Sequence, residues 1–342
     1  MVTIRAPGDV TLVEYEQRVP GAGEVLVRTL YSGVSAGTEL TAYRGTNPYV
    51  HKRWDDASRL FVAGDPTFPF PLAGWGYEQV GSVEALGDGV TELEVGELVW
   101  GAWGHRSAAP VFESRLAGRV LPAGFPPLCG VFARIGAVAL NAVLDADVHV
   151  AETVAVFGQG VPGLLATQLA RLNGGTVVAV DRLPRRLELA QMLGAATVVD
   201  AATTSAAEAI KRVTNGRGAD VVIELTGSSE ALHEAIRSAA YGARVVVAGF
   251  GQGEATGLRL GEEFHHNRIE LVSSQIANVP ARLAPRWTTL RLERTIVDLH
   301  GDGRLELEGL VSHVLPAARA ADAFRLLDEH PDEAVQVVLD FS

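Results

Sequence analysis

The stretch Thr153–Asp181, TVAVFGQGVPGLLATQLARLNGGTVVAVD, decides the fold. A Val-rich strand pattern runs into Gly158, Gly160 and Gly163. An apolar helical pattern follows, and then a second Val-rich run that ends on Asp181. The G-x-G-x-x-G spacing has a physical basis. The first glycine permits a tight turn, and the second lets a pyrophosphate approach the backbone. The third lets helix and strand pack closely, while the helix N-terminus, beginning at Val161 and Pro162, offers a partial positive charge and its free N–H groups (Pro162 itself has none) to phosphates. A bare match of this kind is weak, but a strand before it, a helix behind it and an acid at the end of the next strand supply the confirming context. A carboxylate at Asp181 can accept both ribose hydroxyls and repel a 2′-phosphate, so NAD is expected ahead of NADP. Arg182, Arg185 and Arg186 follow at once. They read either as a solvated helix start or as partners for a 2′-phosphate.

The pattern extends on both sides of this stretch. ATVVD (196–200), ADVVIELTG (219–227), ARVVVAGF (243–250) and IELVSSQ (269–275) are short runs, apolar on both faces, separated by amphipathic segments. Such alternation predicts a parallel sheet covered on both sides by helices. Thr226, Gly249 and Ser274 fall at the ends of these runs, where strands of such folds edge a nicotinamide. The first ~125 residues differ, with alternating segments such as GEVLVRTLYSGV (23–34) joined by Gly- and Pro-rich turns, as expected for β-structure. EAVQVVLDF (333–341) reads as one more strand. The expected layout is α/β overall. Residues 1–125 and 277–342 form a β-rich domain around an inserted doubly wound domain, residues 126–276.

Bulk properties narrow the function. The chain has 342 residues and a formal charge of −12, which argues against nucleic acid or anionic membrane partners. It shows no run of ~18 apolar residues and no leader pattern, so a cytoplasmic location is expected. Cys129 is the single cysteine, which excludes an internal disulfide and a Cys-x-x-Cys zinc site. Of 29 basic residues only Lys52 and Lys211 are lysines; a genome rich in arginine codons accounts for that bias.

With YSGVSAGTE (31–39), YRGTNPY (43–49) and WGYEQVG (75–81), the whole chain resembles the medium-chain dehydrogenase/reductase superfamily, the alcohol dehydrogenase-like proteins. These motifs look closest to the branch that includes bacteriochlorophyllide a dehydrogenase. The resemblance implies a GroES-like catalytic domain, a Rossmann domain, a homodimer and a small-molecule substrate. Zinc-dependent members carry a Cys in the first motif and a His in the second. Here Ser35 or Ala36 stands for the Cys, Tyr77 for the His, and Arg134 falls near the third ligand. No usable zinc set remains, so a zinc-less member is expected.

Tyr77 then reads as a catalytic phenol, or alternatively as a packing aromatic of the pocket wall. As a base it needs a nearby cation to stabilise its anion, for which Arg134 and Lys52 are candidates. Thr38 matches the family's Ser/Thr proton relay. His51 lies in the loop expected to cover the cleft, and Trp75, Glu78 and Asn141 are candidate pocket residues. The leading expectation is an NAD-linked oxidoreductase that interconverts a secondary alcohol, polyol- or sugar-like, and its ketone without zinc. An NADPH-dependent quinone or enoyl reductase is the alternative within enzymes. A nucleotide-binding protein without turnover is the alternative outside them.

Overall fold

The computed structural model describes residues 1–251 and 253–342. The chain forms two compact units, residues 1–134 with 307–342 and residues 135–306. Both boundaries lie further along the chain than the 125/126 and 276/277 expected from composition. The first falls inside the helix Phe132–Ala146. The second shifts because the helix Thr289–Gly301 stays with residues 135–306, where Ile296, fully buried, packs tightly against Gly136.

In the unit 135–306, six strands run parallel in the order Thr197–Asp200, Thr176–Asp181, Thr153–Phe157, Ala219–Glu224, Ala239–Val247, Glu270–Ser273. Starting at the central strand Thr153–Phe157 and moving outward on either side, this is the 3-2-1-4-5-6 arrangement of dinucleotide-binding sheets. Val154, Ala155, Val156, Val222 and Val245 are all fully buried, as a sheet covered on both faces requires. The reversal of strand order lies between Thr153–Phe157 and Ala219–Glu224, and the glycine loop leaves the end of the former.

The other unit is built on the long antiparallel strand Glu24–Val34. It pairs with Gln336–Asp340 near its end, with Glu78–Leu86 along most of its length, and with Ala108–Phe112 over its first half. Leu98–Gly101 and Val311–Pro316 complete this sheet. Its core includes Ile4, Leu40 and Leu72, packed with Phe324 from the helix Ala320–Glu329. The register Gly33↔Glu78 sets the site. It brings the chain just after one strand (Ser35) beside the chain just before the other (Tyr77).

One helical stretch, Pro127–Ala146, is long and apolar enough to cross a membrane by length and composition, although it is not an unbroken apolar run. Arg134 interrupts its apolar run without lowering its mean hydropathy far, and 72% of the window is buried within the protein.

Candidate active site

In the β-rich unit, polar side chains converge where the two strands meet. The Tyr77 and Ser35 hydroxyls lie 2.6 Å apart, and Thr38, at the start of the short helix Thr38–Tyr43, also hydrogen-bonds the phenol. Burial, then Glu78 and Glu39, push the Tyr77 phenol above its ordinary value, against the hydrogen bonds from Ser35 and Thr38. Neither Arg134 nor Lys52 is among the groups that perturb it; the charged neighbours are carboxyls. The environment thus favours the protonated phenol over the cation-stabilised phenolate for which Arg134 and Lys52 are the sequence's candidate cations.

Glu78 is 1% exposed. Its Oε2 accepts from Gln336 Nε2 at 3.4 Å, and its Oε1 has no partner among the described residues. Burial first, then the Glu39 charge, hold its carboxyl well above the usual range despite that amide. Gln336, from the C-terminal strand, was not singled out in the sequence; nothing in a single Gln inside a strand distinguishes it. Glu39, fully buried, accepts from the Ser35 amide at 3.2 Å and pairs with His105 Nε2 at 2.6 Å. His105 is likewise absent from the sequence reading, because its neighbours in the chain carry no motif.

The remaining expected residues of this unit stand elsewhere. His51 and Lys52 are exposed on the loop after Pro48–Val50, where the His51 ring contacts the Gly45 carbonyl. Trp75 meets Phe68 edge-on, with ring centroids 5.0 Å apart, and packs on the core. Arg134 is half-buried in the first turn of the helix Phe132–Ala146.

The nucleotide half forms in the other unit. Gly158 has φ +85°, and any Cβ on Gly163 would overlap the Gly158 carbonyl, so both positions demand glycine. A Cβ on Gly160 would instead stand in open space, with Arg186 Nη1 its nearest neighbour at 3.8 Å. The helix Val161–Leu172 begins there without a side-chain cap, and Pro162 has no N–H to satisfy. Uncapped amides, an open Gly160 face and a nearby guanidinium suit a pyrophosphate.

Asp181 is fixed by three amides, Gln159 at 2.5 Å, Arg182 at 2.7 Å and Leu183 at 2.9 Å. Its carboxylate thus sits at the lip of the glycine loop, with lone pairs left for ribose hydroxyls. The Arg182 side chain is exposed. Thr226 Cγ2 lies against Gly158, and the Thr226 hydroxyl binds Glu224, a buried acid at the end of its strand that the sequence reading passed over. Burial raises the Glu224 carboxyl against hydrogen bonds from Thr226 and Gly227. Its signal was the lone acid closing an apolar run. A Cβ on Gly249 would collide with Gly227, so these two strand ends meet backbone to backbone. Asn141 Nδ2 donates to Ser274 Oγ at 3.2 Å, which brings together two residues expected separately for substrate and cofactor.

Comparison with known proteins fits these two halves. Residues 21–152 match the alcohol dehydrogenase GroES-like domain, and residues 162–289 match the zinc-binding dehydrogenase domain. D-guloside 3-dehydrogenase of Shigella flexneri is 31% identical over 98% of both chains. The chain belongs to the medium-chain dehydrogenase/reductase superfamily. As an oxidoreductase of this alcohol dehydrogenase-like family, it shares its fold with solved members. These include 2R,3R-butanediol dehydrogenase from Bacillus subtilis (TM-score 0.79, 22% identity, 99% of this chain and 98% of that one). An alcohol dehydrogenase of Escherichia coli CFT073, solved with NADH, matches similarly (TM-score 0.78, 22% identity, 99% and 98%).

Proposed function

We propose that this medium-chain dehydrogenase is a zinc-independent, NAD-linked enzyme that interconverts a secondary hydroxyl of a sugar-like substrate and its ketone. The observation that carries the reading is the Tyr77–Ser35 hydroxyl pair, 2.6 Å apart, at the two motifs where the family resemblance implies a Cys (replaced here by Ser35 or Ala36) and a His (replaced by Tyr77) in zinc-dependent members. A serine hydroxyl, a phenol favoured in its protonated form and a buried carboxyl favoured as the neutral acid are a poor donor set for zinc, which takes Cys, His and ionised carboxylates.

The nucleotide half supports NAD. Gly158, Gly160 and Gly163 with the uncapped start of the helix Val161–Leu172 would hold the pyrophosphate, and Asp181 would take the ribose hydroxyls. When bound, the nicotinamide supplies or accepts the hydride. The protein's own residues handle the oxygen. The Tyr77 phenol, kept protonated, donates to the substrate oxygen and gives its proton as a ketone is reduced; Ser35 and Thr38 return one along the hydroxyl chain. In oxidation the phenol takes the alcohol proton as it passes its own to Ser35 or Thr38, and the half-exposed Thr38 releases one to solvent. The likeness to D-guloside 3-dehydrogenase, 31% identical over 98% of both chains, supports a glycoside hydroxyl as the reacting group. Small-molecule binding in the cytoplasm, without nucleic acid or membrane partners, completes the reading.

The test is absorbance at 340 nm with NAD and methyl D-guloside, other hexosides and free polyols, against NADPH with quinones and enals. Turnover of hydroxyl substrates is the expected result. Turnover confined to enals or quinones would overturn it.

A further inference from the structure

We infer that His105 is a positioning residue for the Tyr77–Ser35–Thr38 hydroxyls, acting through a one-way chain of buried hydrogen bonds that ends on Glu39. The inference rests on the alcohol chemistry proposed above for these hydroxyls, but its geometry stands separately.

The direction of the chain can be worked out from its far end. Gln79 Oε1 accepts from the amides of Trp103 at 2.9 Å and Gly104 at 3.1 Å. That fixes the Gln79 amide, so its Nε2 donates to Ser32 Oγ at 2.9 Å. The Ser32 hydroxyl has its own proton to give, and His105 Nδ1 lies 2.6 Å away. Nδ1 therefore accepts, which leaves the ring proton on Nε2, where it is donated to Glu39 Oε2 at 2.6 Å. An imidazolium, or the opposite tautomer, would turn Nδ1 into a donor and leave the Ser32 proton with no acceptor among the described residues. In a site where Ser32 and Glu39 are fully buried and Gln79 and His105 are 1% exposed, that is costly.

The chain reaches Tyr77 from two sides. Glu39 Oε1 holds the Ser35 amide at 3.2 Å, which fixes the residue whose hydroxyl meets the phenol. On the other side Gly76, with φ +135°, precedes Tyr77, and a Cβ there would stand 2.6 Å from His105 Nε2. The imidazole thus lies against the backbone that aims Tyr77. The other groups around the ring are the Phe324 edge, with centroids 6.2 Å apart, and Glu78 and Tyr77 beyond Glu39. Gly76 and His105 are coupled positions: only a residue without Cβ leaves room for the ring.

Histidine tautomers and the tyrosine ring environment can be read directly by NMR on protein labelled with ¹⁵N-histidine and ¹³Cζ-tyrosine. His105 and Tyr77 are assigned by the loss of their signals in His105→Gln and Tyr77→Phe. The expected result is a neutral Nε2–H tautomer for His105. In His105→Phe, which keeps a ring but no hydrogen bonds, the Tyr77 signal shifts or broadens; in His105→Gln, which can still donate to Glu39, it stays near its wild-type position. With a hydroxyl substrate, kcat falls at least 10-fold in His105→Phe and less than 5-fold in His105→Gln, with KM for NAD unchanged. An Nδ1–H or protonated His105, or a Tyr77 signal that ignores His105→Phe, overturns the inference. If His105→Phe does not fold, the tautomer and His105→Gln decide alone. Wild-type protein that shows the Nε2–H tautomer and no hydroxyl turnover would count against the alcohol chemistry instead.

Discussion

Replacing Glu78 by glutamine is expected to stabilise the protein at neutral pH and to do nothing at low pH. Glu78 is 1% exposed, its Oε1 lacks a partner among the described residues, and its nearest charge is the Glu39 carboxyl. Its folded-state pKa is therefore raised, so the folded protein binds a proton that the unfolded chain releases above ~4.3. A raised acid contributes no penalty below the unfolded value. Above it, stability falls with rising pH until the folded value is passed, at about 1.4 kcal/mol per pH unit. Glutamine has nearly the same shape and never ionises, so it removes this loss. Between pH 5 and 6 the wild type should thus lose about 1.4 kcal/mol more than Glu78→Gln, and the gap should keep widening at higher pH until Glu78 ionises. Urea unfolding followed by tryptophan fluorescence is a suitable assay, because Trp54, Trp75, Trp100 and Trp103 all lie in the unit that holds Glu78. Parallel stability–pH curves for the two proteins would refute the reasoning and show Glu78 ionised in the fold.

Tyr77→Phe removes the hydroxyl and little else, so kcat on a hydroxyl substrate should fall ~10²-fold or more while the NADH dissociation constant from fluorescence titration holds; an unchanged kcat would leave Tyr77 a wall residue. Asp181→Asn keeps the shape of the lip but not its charge, and should weaken NAD at least ~10-fold while narrowing the preference over NADP, as read by KM for each cofactor. The strand Glu270–Ser273 forms an edge of the parallel sheet; unpaired edges invite pairing, and two copies are expected to join there. Analytical ultracentrifugation should give about twice the chain mass of 36.2 kDa, and a Leu271→Pro variant should return the mass to that of one chain.

The nucleotide half was legible because its function depends on backbone. Gly158 and Gly163 cannot be anything else at their φ and packing, and the acid after the second strand follows from the chemistry of ribose. The parallel sheet was legible too, since buried parallel strands are continuous apolar runs; its strand order was not, because nothing in a run says which neighbour it pairs with. The hydroxyl half was only partly legible. Tyr77 and Ser35 (or Ala36) stood out by replacing expected ligands and Thr38 by matching the family's proton relay, but what surrounds Tyr77 is decided by residues distant in sequence. His105 and Gln336 reach the cluster through strand pairing and chain return, which leave no local pattern. The expected cation failed on that count, since spacing cannot say that two carboxyls rather than Arg134 or Lys52 lie nearest the phenol. The domain boundaries were misplaced because composition changes at the start of a helix, whereas packing assigns the helix to whichever core its buried face meets.

The central claim, hydride chemistry at a hydroxyl without zinc, is most directly tested by measuring metal content and activity on the same preparation. Protein purified with chelator and assayed for zinc by elemental analysis should carry well under one equivalent and turn over methyl D-guloside with NAD at the rate of untreated protein. Activity that vanishes with chelation and returns on adding one equivalent of zinc would contradict the account.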